Sequence, residues 1–215
     1  MTGGALAALA ALGCGLAVVG LLAAERAGSR AGVWVAKPLA SAGFVLVALA
    51  RGATGTTYGR WVLAALVLGW LGDVLLIPKG ARRAFAAGLG SFLLGHVAFA
   101  AGFVSRGQSF LWLGVGLALV LAAAVPLLRW LMPHVGKSLG LPVRAYFAVI
   151  SAMVATAAGA TGATGDLRLV FGALGFAVSD VTVARERFVT HSPWNGGLGL
   201  PLYYASQLLL AATAG

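Results

Sequence analysis

With 215 residues, 60% of them hydrophobic and only 9% charged, the chain is far from the roughly 25% charged share of a soluble domain, which excludes a water-soluble enzyme or binding module. Its formal charge of +10 does not point to nucleic acid, because the bases stand singly or in pairs between apolar runs, as topogenic anchors do. Each membrane crossing takes about 20 residues. The length therefore fits an all-α integral membrane protein, a single bundle of about eight transmembrane helices forming one polytopic domain over residues 1–215.

In chain order the apolar runs predict spans near 3–24, 33–50, 60–77, 84–104, 109–130, 143–160, 168–184 and 199–214. The runs are continuous rather than alternating, and a helix satisfies its own backbone in lipid, so strands are not expected. The first span reads as a retained helix. It carries Cys14, the single cysteine, which excludes an intramolecular disulfide and a thiolate metal cluster. The second holds Lys37 before Pro38, and the third carries Asp73 near its end. The fourth holds His96 behind the small-residue ladder Ala84, Gly88, Ser91 and Gly95, which suits close helix packing. The sixth opens with Tyr146, the seventh carries Asp180, and the eighth follows Asn195 and holds Tyr203, Tyr204 and Gln207.

Lysines and arginines in the connections orient the chain. The odd-numbered connections hold ten: Arg26, Arg30, Lys79, Arg82, Arg83, Arg129, Lys137, Arg144, Arg185 and Arg187. The even-numbered ones hold four: Arg51, Arg60, Arg106 and Arg168. The positive-inside rule then predicts a multi-pass protein of the cell membrane with both termini outside the cytoplasm. In that orientation Asp73, Asp180, Lys37, Tyr146, Tyr203 and Tyr204 fall toward the cytoplasmic side and His96 near mid-membrane, a distribution that a polar cavity open to the inner leaflet explains.

An Asp at the centre of a spanning helix costs about 2.5 to 3.5 kcal/mol on insertion scales, so each such residue is either paired structurally or kept for chemistry. The structural reading pairs Asp73 or Asp180 with Lys37 or a nearby Arg. The chemical reading makes them a shared acid and base, one carboxyl protonated and the other ionised. Lys37 either snorkels to the headgroups or meets a lipid phosphate. His96 is either a packing residue or an orienting one, the tyrosines belong either to an interfacial belt or to the site, and Asn195 and Gln207 either cap and pack or hold a water. A metal site is not expected: His134 and His191 fall in or near connections, and no HExxH or paired-Cys pattern exists. No nucleotide-binding loop and no GxSxG elbow are present.

These residues carry a resemblance. Lys37-Pro38, Gly72-Asp73, then Phe85, Gly88, Phe92 and His96, PVRAY at 142–146 with Met153 beyond, Ser179-Asp180 and a last helix with Tyr and Gln resemble the YhhN-like lysoplasmalogenase family over almost the whole chain from Lys37 onward. The resemblance implies a polytopic enzyme that hydrolyses the vinyl ether of a lysophospholipid substrate, releasing a fatty aldehyde and a glycerophospho-base. It implies catalytic roles for Asp73 and Asp180 and matches Lys37, His96 and Tyr146 to other motif positions.

Vinyl ether hydrolysis begins with proton delivery to the terminal carbon and proceeds through an oxocarbenium ion that water captures. Two carboxyl groups suit it, one as acid and one as cation stabiliser, with no cofactor required. The alternative reading is a proton-coupled lipid or small-solute transporter that uses the same acids.

Overall fold

The computed structural model describes residues 2–215, apart from the side chains of Ser138, Pro193, Trp194 and Asn195. Among the described residues there are eight α-helices: α1 (Gly3–Arg26), α2 (Arg30–Ala50), α3 (Thr57–Leu75), α4 (Arg82–Ser105), α5 (Phe110–Leu131), α6 (Gly140–Thr164), α7 (Leu167–Phe188) and α8 (Pro193–Ala211). No strand occurs among the described residues. The protein is an all-α membrane protein, and helices α1 to α7 are each long and apolar enough to cross a bilayer.

Several helices run past their apolar runs. Helix α2 begins at Arg30 rather than near 33, α7 continues to Phe188 rather than 184, and α8 begins at Pro193 rather than near 199. Helical hydrogen bonding does not stop where hydropathy falls, because a polar turn at the bilayer surface satisfies its backbone as well as an apolar one does.

Short polar caps set the starts. Ser29 accepts from the Gly32 amide at 3.1 Å, Thr56 from the Gly59 amide at 2.9 Å and Asp166 from the Arg168 amide at 3.1 Å, each satisfying a first-turn donor. Gly165 follows α6 with φ of 74°, the left-handed cap that a side chain adopts poorly. Only Asp166 separates it from α7.

The helices divide into two compact units. Unit 1 comprises residues up to Gly102 together with Gln207–Gly215, and unit 2 comprises Phe103–Ser206. Within unit 1 the approaches are made by small residues. A Cβ at Gly43 would sit 2.6 Å from the Cβ of Cys14, so α2 lies directly on α1. A Cβ at Gly72 would meet the Phe92 ring at 2.7 Å, and one at Gly88 would meet Leu76 at 2.9 Å. The predicted ladder on α4 faces α3, with Ser91 donating to the Leu68 carbonyl at 2.6 Å.

The chain's last residues close unit 1. Tyr58 and Thr213 hydroxyls lie 2.6 Å apart, and Thr213 donates to the Leu210 carbonyl, so the Tyr58 hydroxyl is the donor of the pair.

Unit 2 repeats the small-residue principle on different helices. Gly116 on α5 abuts Ala158 on α6, and Gly175 and Gly199 set α7 against α8 by meeting Ser206 and Thr182 respectively. Gln108 ties the start of α5 to its surroundings by donating to the carbonyls of Phe103 and Thr156 at 2.9 and 3.1 Å. At the α6–α7 turn, Asp166 pairs with Arg168 at 2.8 Å and Arg106 at 3.7 Å. Those contacts, the Arg168 hydrogen bond first, hold its carboxyl below the ordinary carboxylate range. Many large apolar side chains are instead exposed, as a lipid-facing surface is, among them Leu16 on α1 and Phe110, Leu111 and Leu119 on α5.

Candidate active site

Unit 1 builds its polar centre from three helices. Lys37 lies seven residues inside α2, not at its head, because the helix starts earlier than the apolar run. Its side chain, 13% exposed, turns inward and places Nζ 3.4 Å from Asp73 Oδ1. Asp73 is only 3% exposed. The structural pairing weighed for this acid is thus present, and it takes Lys37 away from the headgroup snorkelling posture.

The other carboxylate oxygen is held by Ser41, whose hydroxyl donates to Asp73 Oδ2 at 2.6 Å while lying 3.0 Å from the Lys37 carbonyl. Ser41 is one helical turn beyond Lys37, so the two present to α3 together. Trp70, one turn before Asp73, donates its indole N–H to the Pro38 carbonyl at 3.1 Å and fixes the register of α3 against α2. The position of Pro38 inside α2 is where the helix ladder is interrupted, and the Trp70 bond braces that place.

His96 is fully buried on α4. Its Nδ1 lies 2.7 Å from the Phe92 carbonyl. A carbonyl can only accept, so Nδ1 carries a proton and, in the neutral ring, Nε2 presents a lone pair. Gln207, also fully buried, belongs to the same unit, and neither atom of its amide makes a hydrogen bond with a described residue.

Unit 2 holds Asp180 inside α7. The Tyr146 hydroxyl on α6 donates to Asp180 Oδ2 on α7 at 3.2 Å, and Asp180 is half-buried. It lies eight residues before the end of α7, deeper along its helix than a span ending at 184 would put it, because α7 extends to Phe188. Ser179 and Thr182 bond back to carbonyls of their own helix at 2.7 Å.

Tyr203 and Tyr204 are buried mid-helix on α8, not at its start as the predicted boundary had them. Tyr203 packs on Phe176 with ring centroids 5.5 Å apart, and Tyr204 meets Tyr203 edge-on at 4.9 Å. This burial removes both from an interfacial belt. Asn195 lies in α8, but its side chain is outside the described residues.

The structure therefore brings Lys37 to Asp73 and Tyr146 to Asp180. Ser41 was missed by sequence reasoning, although its spacing of four from Lys37 is a signal that could have found it. Among the described residues no three His, Cys, Asp or Glu side chains gather as a metal-ligand set.

With Asp73 ion-paired to Lys37 and Asp180 hydrogen-bonded by Tyr146 inside its spans, the chain is a polytopic helical membrane protein with intramembrane acids. The chain belongs to the YhhN family, whose model matches residues 32–214. It is 36% identical over 160 residues to a lysoplasmalogenase of Mycobacterium bovis, a match covering 71% of this chain and 59% of that protein. The chain thus aligns with somewhat less than two thirds of that relative's length. It is 31% identical over 176 residues to human lysoplasmalogenase TMEM86B, covering 82% of this chain and 71% of the other, and 30% identical over 159 residues to bovine lysoplasmalogenase TMEM86A, covering 71% and 64%. No solved structure matches the chain significantly.

Proposed function

We propose that this protein hydrolyses the vinyl ether bond of lysoplasmalogens, giving a fatty aldehyde and a glycerophospho-base. The observation that carries the reading is the buried Asp73, held by Lys37 and Ser41 within the segment that matches the YhhN family. The relatives named lysoplasmalogenase supply the substrate class.

In this reading Asp73 is the ionised carboxylate, since an ammonium and a hydroxyl proton both face it. Asp180, half-buried beside Tyr146, takes the role of the acid. Asp180 gives its proton to the terminal vinyl carbon, and the π electrons of the double bond form the new C–H bond. The ether oxygen then shares the positive charge with the adjacent carbon, and Asp73 stabilises that cation. Water adds to the charged carbon and loses a proton to the Asp180 carboxylate, restoring the acid and leaving a hemiacetal. The hemiacetal collapses to aldehyde, and the glycerol oxygen departs with a proton as the free alcohol. Lys37, His96, Tyr146, Tyr203, Tyr204 and Asn195 orient the carboxyls or bind the lipid. The lipid enters from the inner leaflet of the cell membrane, with both chain termini on the outer side.

Purified protein incubated with lysoplasmenylethanolamine releases aldehyde, whereas an ester lysophospholipid releases no fatty acid. Release of fatty acid alone would overturn the reading. In heavy water, the trapped aldehyde carries one deuterium on carbon two. A proton-coupled transporter would instead move a lipid or solute across a vesicle membrane without releasing aldehyde. Reporters fused to both ends read the orientation, which a cytoplasmic terminus would reverse.

A further inference from the structure

Gln207 is fully buried within unit 1, and both its Nε2 and its Oε1 lack a hydrogen-bond partner among the described residues. Other buried polar side chains of this unit have partners: Ser41 on Asp73, Ser91 on the Leu68 carbonyl, Thr213 with Tyr58, and His96, through Nδ1, on the Phe92 carbonyl. A primary amide buried without partners loses its hydration and recovers nothing, so a site of this kind is kept for a group that arrives later.

Close contacts inside unit 1 give its depth. Gly59, near the start of α3, meets the Ala214 carbonyl at the end of the chain. Counting seven residues back from Ala214 and seven forward from Gly59 brings Gln207 level with Leu66. A Cβ at Gly95 would lie 3.3 Å from the Ala65 carbonyl, so the adjoining His96 occupies the same level. Asp73 is seven residues farther along α3, an axial separation of about 10 Å.

Helical side chains lean toward the start of their own helix. Asp73 therefore leans toward the level of Gln207, while Gln207 and His96 lean toward the level of Asp73, and the gap between the polar atoms is shorter than the separation along the axis.

We propose that the Gln207 amide is the receptor for a neutral hydroxyl group, either a water molecule or the free glycerol hydroxyl of a lysolipid. A hydroxyl donates and accepts, and so can engage the carbonyl or the amino end of the amide. An anion satisfies only Nε2 and a cation only Oε1, and either carries a full charge into an apolar interior. The identity of the lipid rests on the hydrolase reading above. The hydroxyl receptor itself rests on the buried amide.

The test uses the full chain in detergent and compares it with Gln207→Met, an apolar replacement of similar shape. If the amide waits unpartnered, Gln207→Met raises Tm, because it removes a desolvated polar group and leaves no cavity. The same variant lowers kcat/KM on lysoplasmenylethanolamine about 10- to 100-fold. A glutamine that merely held the fold together would move Tm in the opposite direction.

A second substrate, the analogue with hydrogen in place of the glycerol 2-hydroxyl, separates the two sources. Recognition of the lipid hydroxyl makes the wild type prefer the natural substrate about tenfold or more and abolishes that preference in Gln207→Met. Water binding slows both substrates equally in the variant. A Tm that falls, or a kcat/KM within about twofold of wild type, overturns the proposal. A wild type that releases no aldehyde counts against the hydrolase reading alone, and the Tm comparison then decides on the hydroxyl receptor.

Discussion

Asp73 of unit 1 is 3% exposed and touched by an ammonium and a hydroxyl, whereas Asp180 of unit 2 is half-buried and accepts a phenolic hydrogen bond. Two aspartates that look alike in an apolar sequence thus sit in surroundings that favour different duties. Asp73 is part of the framework of its unit, since its removal strands a lysine with only 13% of its side chain exposed. Asp180 is a more accessible group. A buried ion pair resists loss of one partner far more than it resists replacement of both by apolar groups.

The largest effect expected is on turnover. Asp73→Asn and Asp180→Asn each lower kcat/KM by about 10²- to 10⁴-fold, the span associated with losing an acid–base group, as aldehyde release measures. The comparison sharpens in stability. Asp73→Asn costs about 3 to 5 kcal/mol through the stranded Lys37, while Asp180→Asn shifts Tm little. Adding Lys37→Met to Asp73→Asn recovers the Tm without recovering activity. Equal destabilisation by the two asparagine variants would erase the distinction between the sites.

Smaller effects follow from the hydroxyls. Tyr146→Phe removes the donor to Asp180 and lowers kcat about tenfold, with stability nearly unchanged because the ring stays in place. Ser41→Ala removes the donor to Asp73 and destabilises by about 1 kcal/mol, visible as a lower Tm. A Ser41→Ala loss of activity exceeding that of Tyr146→Phe would place the proton-handling weight on the unit 1 carboxylate instead.

The smallest effect lies outside both sites. The Asp166 carboxyl is held below its ordinary range chiefly by Arg168, so its contribution to stability is present above the carboxyl's unfolded-state titration range and is lost as pH falls through its lowered folded-state range. Asp166→Asn therefore flattens the acid side of the Tm-against-pH profile of unit 2 and leaves the neutral-pH activity intact. A profile unchanged on the acid side would remove Asp166 from the acid response.

Much of this protein follows from composition. Continuous apolar runs with so few charges have only one economical solution in lipid, which is why helices could be placed from the sequence, and why Asp73, Asp180 and His96 stood out against that background. The Gly88, Ser91 and Gly95 ladder was equally visible, since small residues at helical spacing permit close approach to a neighbour. Helix ends were less visible, because hydropathy reports where lipid begins and hydrogen bonding does not stop there. That difference moved Lys37 two turns into α2 and placed Tyr203 and Tyr204 in mid-helix.

The all-helical architecture, the family motifs and the shortlist of acids are legible in the order of residues. Tertiary packing set which polar groups meet: Lys37 and Ser41 at Asp73, Tyr146 at Asp180, and a Gln207 amide with no hydrogen-bond partner among the described residues. Periodicity sets the face a residue occupies on its own helix, but the rotation and register of one helix against another come from many small packing choices at once. The Trp70 bond to the Pro38 carbonyl and the seating of Gly72 against Phe92 are two of these, and partners 32 and 20 residues apart in sequence carry no local signal of having met.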